Sequence, residues 1–255
     1  INKDVKIIVV ENSNDQELKE KIQSKYKNVD CILSEENLGY GAGNNLGLSK
    51  VLTNYALIVN PDVTLENDTI DNFFLTIKNV KNFGIIAPIS KDEIYTNFSI
   101  DNDKNLKEVE SVKGFAMFLS MNNLKEIKFF DENFFLYFEE IDLCKRIRKN
   151  DIKIYIDPSI KVNHLGGTSH NSEINKTMEL SRNWHWMWSS FYYHKKHCGY
   201  INALFKISPK LLSSLIKFIF YLLIFQKFKS DIYKHRVFGI INSVLLKKSW
   251  YRPRI

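Results

Sequence analysis

The sequence predicts an α/β protein whose central sheet is open, mixed but mostly parallel, and covered on both faces. Two apolar runs carry that expectation, Val5–Val10 (VKIIVV) and Tyr55–Val59 (YALIV). A strand with one wet face would alternate apolar and polar residues; these do not. A third observation is that each run ends in polar turn formers followed by helical patterning. In open α/β sheets ligands bind beyond the carboxyl ends of the strands, so those turns are where chemistry is expected.

Taken in order, Val5–Val10 runs into Glu11-Asn12-Ser13-Asn14-Asp15, then a helix to about Tyr26 and a short strand, Val29–Leu33. Glu11 could accept from a nucleotide base or a ribose hydroxyl, or simply shape the turn into the helix. Next comes Asn37-Leu38-Gly39-Tyr40-Gly41-Ala42-Gly43-Asn44-Asn45-Leu46-Gly47, read as a glycine-rich loop opening a helix over 44–52. Such a loop allows close backbone approach to a ligand, although the spacing matches neither the P-loop nor the dinucleotide fingerprint. An ordinary flexible connection is the alternative. The strand Tyr55–Val59 ends at Asn60-Pro61-Asp62, where Pro61 stiffens the turn. Asp62 could hold a divalent cation carrying a diphosphate, or cap the helical region 67–79.

Phe83–Pro88 and Val112–Ser120 read as further strands, the second with Gly114 where something approaches closely. Ile94–Asp103 is a polar excursion. Strands are expected again at Lys153–Ile156 and Ile160–Val162, on either side of Pro158. His164-Leu165-Gly166-Gly167-Thr168-Ser169 follows, its histidine a metal ligand, a phosphate donor or a structural residue.

Between these lies Phe130–Arg148, FDENFFLYFEEIDLCKRIR. Glu139, Glu140 and Asp142 crowd three carboxylates into four positions at the start of a helix, directly after an aromatic run. Mutual repulsion and apolar surroundings both raise carboxyl pKa values, as a general base requires. The alternative is an acidic first turn complementing the helix dipole, with Asp142 paired to Arg146 one turn on.

Composition divides the chain in two. Its 255 residues, 44% hydrophobic and 25% charged, suit a folded body with an appendage rather than a disordered or polytopic membrane protein. The net charge of +7 combines unlike parts: residues 1–175 hold 21 Lys/Arg against 27 Asp/Glu, and 176–255 hold 15 against 2. We place the boundary at 172/173, between a chemistry-bearing body (1–172) and a basic, aromatic, helical region (173–255). The run Leu211–Phe225 is too short to span a bilayer. A basic amphipathic region of this kind fits an anionic membrane surface better than nucleic acid, for which no recognition motif is present. Cys31, Cys144 and Cys198 follow neither a zinc spacing nor a disulfide framework, which points to a reducing compartment. The chain starts on a strand, with neither a signal-peptide pattern nor an initiator methionine, so a fragment lacking its first element is expected.

The ordered set VVENSND, NLGYGAGNNLGL, LIVNPDV, GFAMFLS, FDENFFLYFEEIDLCKRI and HLGGTS resembles glycosyltransferase family 2. The similarity is greatest to the bacterial rhamnosyltransferase-like branch that builds O-antigen, capsule and related polysaccharides, and SWYRP near the end resembles that branch's tails. The resemblance implies a GT-A fold, with a Rossmann-like nucleotide half and an acceptor half around one sheet. It also implies a further strand and a Thr-Tyr-Asn-like loop ahead of Ile1.

The implied reaction is inverting transfer of a sugar, with rhamnose the branch-level expectation, from a dTDP-, UDP- or GDP-sugar to a glycan or lipid-linked acceptor. It would take place at the cytoplasmic face of the bacterial inner membrane. By position, Glu11, Asn37, Gly39, Asn44 and Asn60 fall in the nucleotide-sugar site. Asp62 would ligate Mg²⁺ or Mn²⁺, and His164 matches a histidine that completes the metal site in some relatives. Glu139 and Glu140 match the catalytic Glu-Asp pair, whose second member is the base, and Asp142 would support the acceptor side. Glu stands for Asp at positions 11 and 140, shifting each carboxylate by about a bond length. A non-catalytic nucleotide-sugar or glycan-binding module of an assembly complex is the alternative function.

Overall fold

The computed structural model describes residues 5–90, 105–164 and 172–252. The chain divides into two compact units, residues 1–131 with 140–168, and residues 132–139 with 169–255. The expected excursion 94–103 and the Leu165–Ser169 part of the histidine motif lie outside the described residues.

In the first unit, β1 (Ile7–Glu11) pairs in parallel with β2 (Val29–Leu33), Ile7 opposite Val29 and Glu11 opposite Leu33. Helix α1 (Gln16–Lys25) between them is capped by Asp15, whose carboxylate accepts from the Leu18 N–H. Helix α2 (Gly39–Leu48) begins at Gly39 rather than near Asn44, so the expected glycine-rich loop is itself helix. The reason is close packing. A Cβ on Gly47 would come 3.2 Å from Val10 Cγ2, and one on Gly43 3.5 Å from the Asn12 amide. Bare backbone lets this helix lie against β1, which outweighs glycine's poor helix propensity.

The main sheet takes strands in the order β3 (Tyr55–Val59), β7 (Ala116–Ser120), β5 (Phe83–Ser90), β8 (Lys153–His164) and β4 (Val63–Leu65), with β6 (Lys107–Glu108) also on β8. The α/β class and the mixed central sheet hold, but "mostly parallel" does not. Among the described residues β1–β2 and β5–β8 are parallel, and β3–β7, β5–β7, β4–β8 and β6–β8 are antiparallel. An apolar run encodes burial on two faces, not strand direction. The two expected strands flanking Pro158 are one strand, β8, with a register shift where Pro88 and Ile89 face it.

Alternating side chains fill a core on each face of this sheet. On one side Ile85, Met117, Leu119 and Ile154 pack with Leu143, Cys144 and Ile147 of α5 (Glu139–Arg148). On the other, Ile86 and Phe118 meet Phe73 of α3 (Thr69–Asn79), whose ring stacks on Phe118 at 4.9 Å. Helix α4 (Met121–Ile127) closes the first core with Met121 and Leu124. The three cysteines are free thiols, and burial pushes Cys144 up to about 12.

The second unit is a bundle of α6 (Ser172–Cys198), α7 (Tyr200–Leu223) and α8 (Lys227–Val244). Trp184, Met187, Trp188 and Phe191 recur at i, i+3, i+4 and i+7 and are buried. Gly239 of α8 lets the helices close up: a Cβ there would sit 2.3 Å from the Trp184 carbonyl oxygen. The tail folds back onto α6 at His185, which is fully buried. Its Nε2 lies 2.8 Å from the Tyr251 carbonyl, its Nδ1 3.0 Å from Ser249 Oγ, and its ring 4.6 Å from Phe135.

Burial, helped by the nearby Arg252 charge and opposed by the Tyr251 carbonyl, pushes His185 from 6.5 down to about 4. The unfolded chain therefore binds this proton more readily than the folded one, so stability rises with pH between those values. The contribution is complete above about pH 6.5 and is lost as pH falls toward 4. Urea titrations at pH 7 and pH 5 are expected to show a smaller stability difference in His185→Gln than in the wild type.

Candidate active site

At the carboxyl end of β1, both Glu11 oxygens are taken by their own turn. Oε1 accepts from the Ser13 N–H (2.9 Å) and hydroxyl, and Oε2 from the Asp15 N–H (2.5 Å). Burial works to raise this carboxyl, but the Ser13 hydroxyl and the Asp15, Ser13 and Asn14 N–H groups outweigh it and hold it below the usual range. The turn-shaping reading of Glu11 is thus the one visible in the geometry. The next residue, not singled out from the sequence, joins two segments. Asn12 Nδ2 donates to Asn37 Oδ1 and the Gly39 carbonyl, both at 3.2 Å, and its Oδ1 accepts from the Leu38 N–H at 2.9 Å. Asn37 and Gly39 are thereby fixed against the end of β1. Asn44 instead spends its amide on its own helix, donating to the Tyr40 carbonyl at 2.9 Å.

Helix α2 also reaches the acidic segment. Asn45 exchanges two hydrogen bonds with the Phe130 backbone, at 2.9 and 3.0 Å, and the Tyr40 ring meets Phe130 edge-on at 5.8 Å. The Tyr40 hydroxyl donates to the Gly114 carbonyl. That hydroxyl is what approaches Gly114 closely: a Cβ there would come 2.9 Å from it.

Pairing of β4 with β8 sets Val63 opposite His164, which brings His164 Nε2 within 3.4 Å of Asp62 Oδ2. The imidazole stacks on Phe115 at 4.9 Å, fixing its plane. Asn60 is anchored through its backbone, donating to Phe115 O and accepting from Val63 N–H. Asp62 Oδ1 is buried yet has no hydrogen-bond partner among the described residues. Desolvating a carboxylate oxygen without a partner is unfavourable, so this atom asks for a cation. Among the described residues no cluster of three or more His, Cys, Asp or Glu could hold a metal. A carboxylate oxygen with an imidazole nitrogen would suit Mn²⁺, and the carboxylate alone would suit Mg²⁺.

At the head of α5, Glu139 is buried, at 3% exposure, so of the pair only Glu140 keeps a face open. Burial raises the Glu140 carboxyl above 4.5, only partly countered by hydrogen bonds from the Glu140 and Ile141 N–H groups. Asp142, expected to support the acceptor side, is fully buried and accepts from Arg146 Nε at 2.8 Å. Arg146 also donates to the carbonyls of Ile127, Lys128 and Phe129. With no exposed surface, Asp142 can support an acceptor only indirectly: it orients a guanidinium that holds the 127–129 backbone.

In the second unit, residues 132–139 anchor aromatic by aromatic. Phe134 meets Tyr192 at 4.9 Å, Tyr137 and Phe138 each meet Trp186 at 5.2 Å, and Ser189 Oγ donates to the Leu136 carbonyl. Tyr137 and Phe138 have φ of 68° and 72°, a left-handed conformation costing roughly 1–3 kcal/mol per bulky residue. Packing of these rings is what sustains it.

A mixed sheet with a helix against the end of β1, an Asp–His pair at a strand end and a partly buried carboxylate heading a helix define a GT-A protein. The solved mannosyltransferase PcManGT from Pyrobaculum calidifontis, in complex with GDP-Man and Mn²⁺, shares this fold. Its TM-score is 0.56 at 10% identity, over 95% of this chain and 79% of that one. The chain belongs to glycosyl transferase family 2, whose model matches residues 1–142. It is 29% identical over 170 residues to the low-salt glycan biosynthesis hexosyltransferase Agl10 of Haloferax volcanii, covering 58% of this chain and 54% of that protein. It is 24% identical over 211 residues to the rhamnosyltransferase WbbL of Escherichia coli K12, covering 70% and 78%. The chain therefore spans about half the length of the first of these relatives. Both agree with the rhamnosyltransferase-like branch that the motifs resemble.

Proposed function

We propose that this protein is a metal-dependent, inverting glycosyltransferase that moves a hexose or rhamnose from a nucleotide-sugar to a glycan or lipid-linked hydroxyl. Glycan biosynthesis is the setting named for Agl10, and surface polysaccharide is the one the motif resemblance implies. The observation that carries the reading is the Asp62–His164 pair with its unsatisfied Asp62 oxygen. The turn of Glu11 and Asn12, with Asn37 and Gly39 fixed beside it, forms the nucleotide side, and Asn60 lies at the same strand end as Asp62. Asp62 and His164 would hold the cation, which when bound supplies Lewis-acid stabilisation of the charge gathering on the departing diphosphate.

Glu140 acts as general base. Its carboxylate takes the proton of the acceptor hydroxyl while the hydroxyl oxygen bonds to the anomeric carbon. The bond from that carbon to the diphosphate oxygen breaks, and the nucleoside diphosphate leaves with inversion at the centre. A raised carboxyl pKa makes a stronger base and suits this task. Tyr137 and Phe138 fix the chain just ahead of the carboxylate pair, and Asp142 with Arg146 orders the backbone at 127–129.

The test is nucleotide release from dTDP-, UDP- and GDP-sugars with and without Mn²⁺, in the presence of membrane-extracted acceptors. Metal-dependent turnover with one donor class supports the enzyme. Metal-dependent donor binding without turnover under the same conditions favours a binding module instead.

A further inference from the structure

Helix α7 carries two apolar stripes, and the bundle uses only one. Ala203 and Ile207 are buried with Phe191 and Ile240, and Leu211 packs beside them. On the opposite side Ile201, Phe205, Leu212, Ile216, Ile219 and Leu223 repeat at i, i+4, i+11, i+15, i+18 and i+22, each 52–74% exposed. The stripe runs on into the α7–α8 corner, where Phe225 is 92% exposed. A row of large apolar side chains left in water marks an interaction surface.

Charge identifies the occupant. From Lys195 to Lys248 there are eleven Lys/Arg and a single acid, Asp231. Lys227 and Lys229 follow the apolar corner, and Lys247 and Lys248 follow Leu245 and Leu246, which are 60% and 62% exposed. The ammonium groups of Lys229 and Lys234 sit over the rings of Tyr221 and Phe238, 5.3 and 5.9 Å from the ring centres. Lysines interleaved with exposed apolar and aromatic side chains suit the boundary between acyl chains and anionic headgroups. A second copy of the chain would bring the same excess of positive charge face to face, which disfavours a two-fold pairing. Polarity decides between lying and spanning: α7 is 24 residues long but carries Lys206, Lys210 and Lys217 within it, which a bilayer core disfavours. Among the described residues no helix is long and apolar enough to cross a membrane.

We propose that α7 lies in the plane of an anionic bilayer surface, its outer stripe and the Leu223–Phe225 corner inserted at the acyl boundary and the lysines of the corner on headgroup phosphates. This inference is independent of the donor and of the catalytic carboxylate. The experiment is sedimentation of the full chain with phosphatidylcholine vesicles, with and without phosphatidylglycerol, at low and high salt. Two variants are compared, Leu223→Ser/Phe225→Asn and Lys227→Gln/Lys229→Gln, both at exposed positions and checked for folding by circular dichroism.

Wild type is expected to pellet with the anionic vesicles and to be released by salt. The apolar pair should weaken partitioning by about 100-fold, and the lysine pair should lose most of the preference for phosphatidylglycerol. Nucleotide release in detergent should be unchanged in both. No pelleting of wild type, or variants that bind as wild type does, overturns the proposal. So does a wild-type dimer in sedimentation velocity that the apolar pair dissociates, which would assign the stripe to a second copy.

Discussion

Replacing Glu140 with Gln is expected to lower sugar transfer by roughly 10²–10⁴-fold, the range a positioned general base contributes, and to leave donor binding in place. The amide keeps the shape and much of the hydrogen bonding of the carboxylate but cannot take a proton. The wild-type rate should also fall on the acid side with a limb above 4.5, because burial raises this carboxyl. The glutamine variant should lack that limb. Initial rates from pH 4 to 9 with donor affinity measured in parallel distinguish the cases. Turnover surviving the substitution would show that another group is the base, and lost donor binding would assign Glu140 to the ground state.

The second large effect is expected at Asp62. Asp62→Ala should remove metal-stimulated turnover by on the order of 10²–10³-fold, the equivalent of the several kcal/mol a bound cation contributes at a departing phosphate. Excess chelator should reproduce the loss in wild type, and added Mn²⁺ should restore it only there. His164→Ala should act more weakly, raising the metal concentration needed for half-maximal rate. If Asp62→Ala keeps full rate in chelator, the pair is structural.

How much of this was legible follows from how local each signal is. Strands 29–33 and 55–59 were read to the residue, because an apolar run between turn formers is complete within itself. The Asp142–Arg146 pair was legible as an i,i+4 spacing. Helix α2 is hidden in the sequence because glycines in isolation signal a loop; the side chains that reward their bareness, Val10 and Asn12, lie some 35 residues upstream. Asn12, Asn45 and Tyr40 gave no signal at all, since their partners are 25, 85 and 74 residues away. Asp62 and His164 were each visible, but what joins them is the register of two antiparallel strands, one of which, β4, was not expected. Family resemblance carried that pairing.

The allocation of residues 132–139 to the second unit has a consequence for synthesis on the ribosome. Phe134 and Phe135 leave the tunnel some 50 residues before His185 and Tyr192, and more than 110 before Arg252, whose guanidinium rests 3.5 Å from the Phe135 ring centre. At about 5–20 residues per second, the aromatic leader of the carboxylate helix waits on the order of 5–25 s for its last partner. During that interval Phe134 and Phe135 lack the α6 and tail residues they pack against in the folded chain. The segment just ahead of α5 is thus buried by residues made long after it, while α5 itself packs on strands most of which are already made.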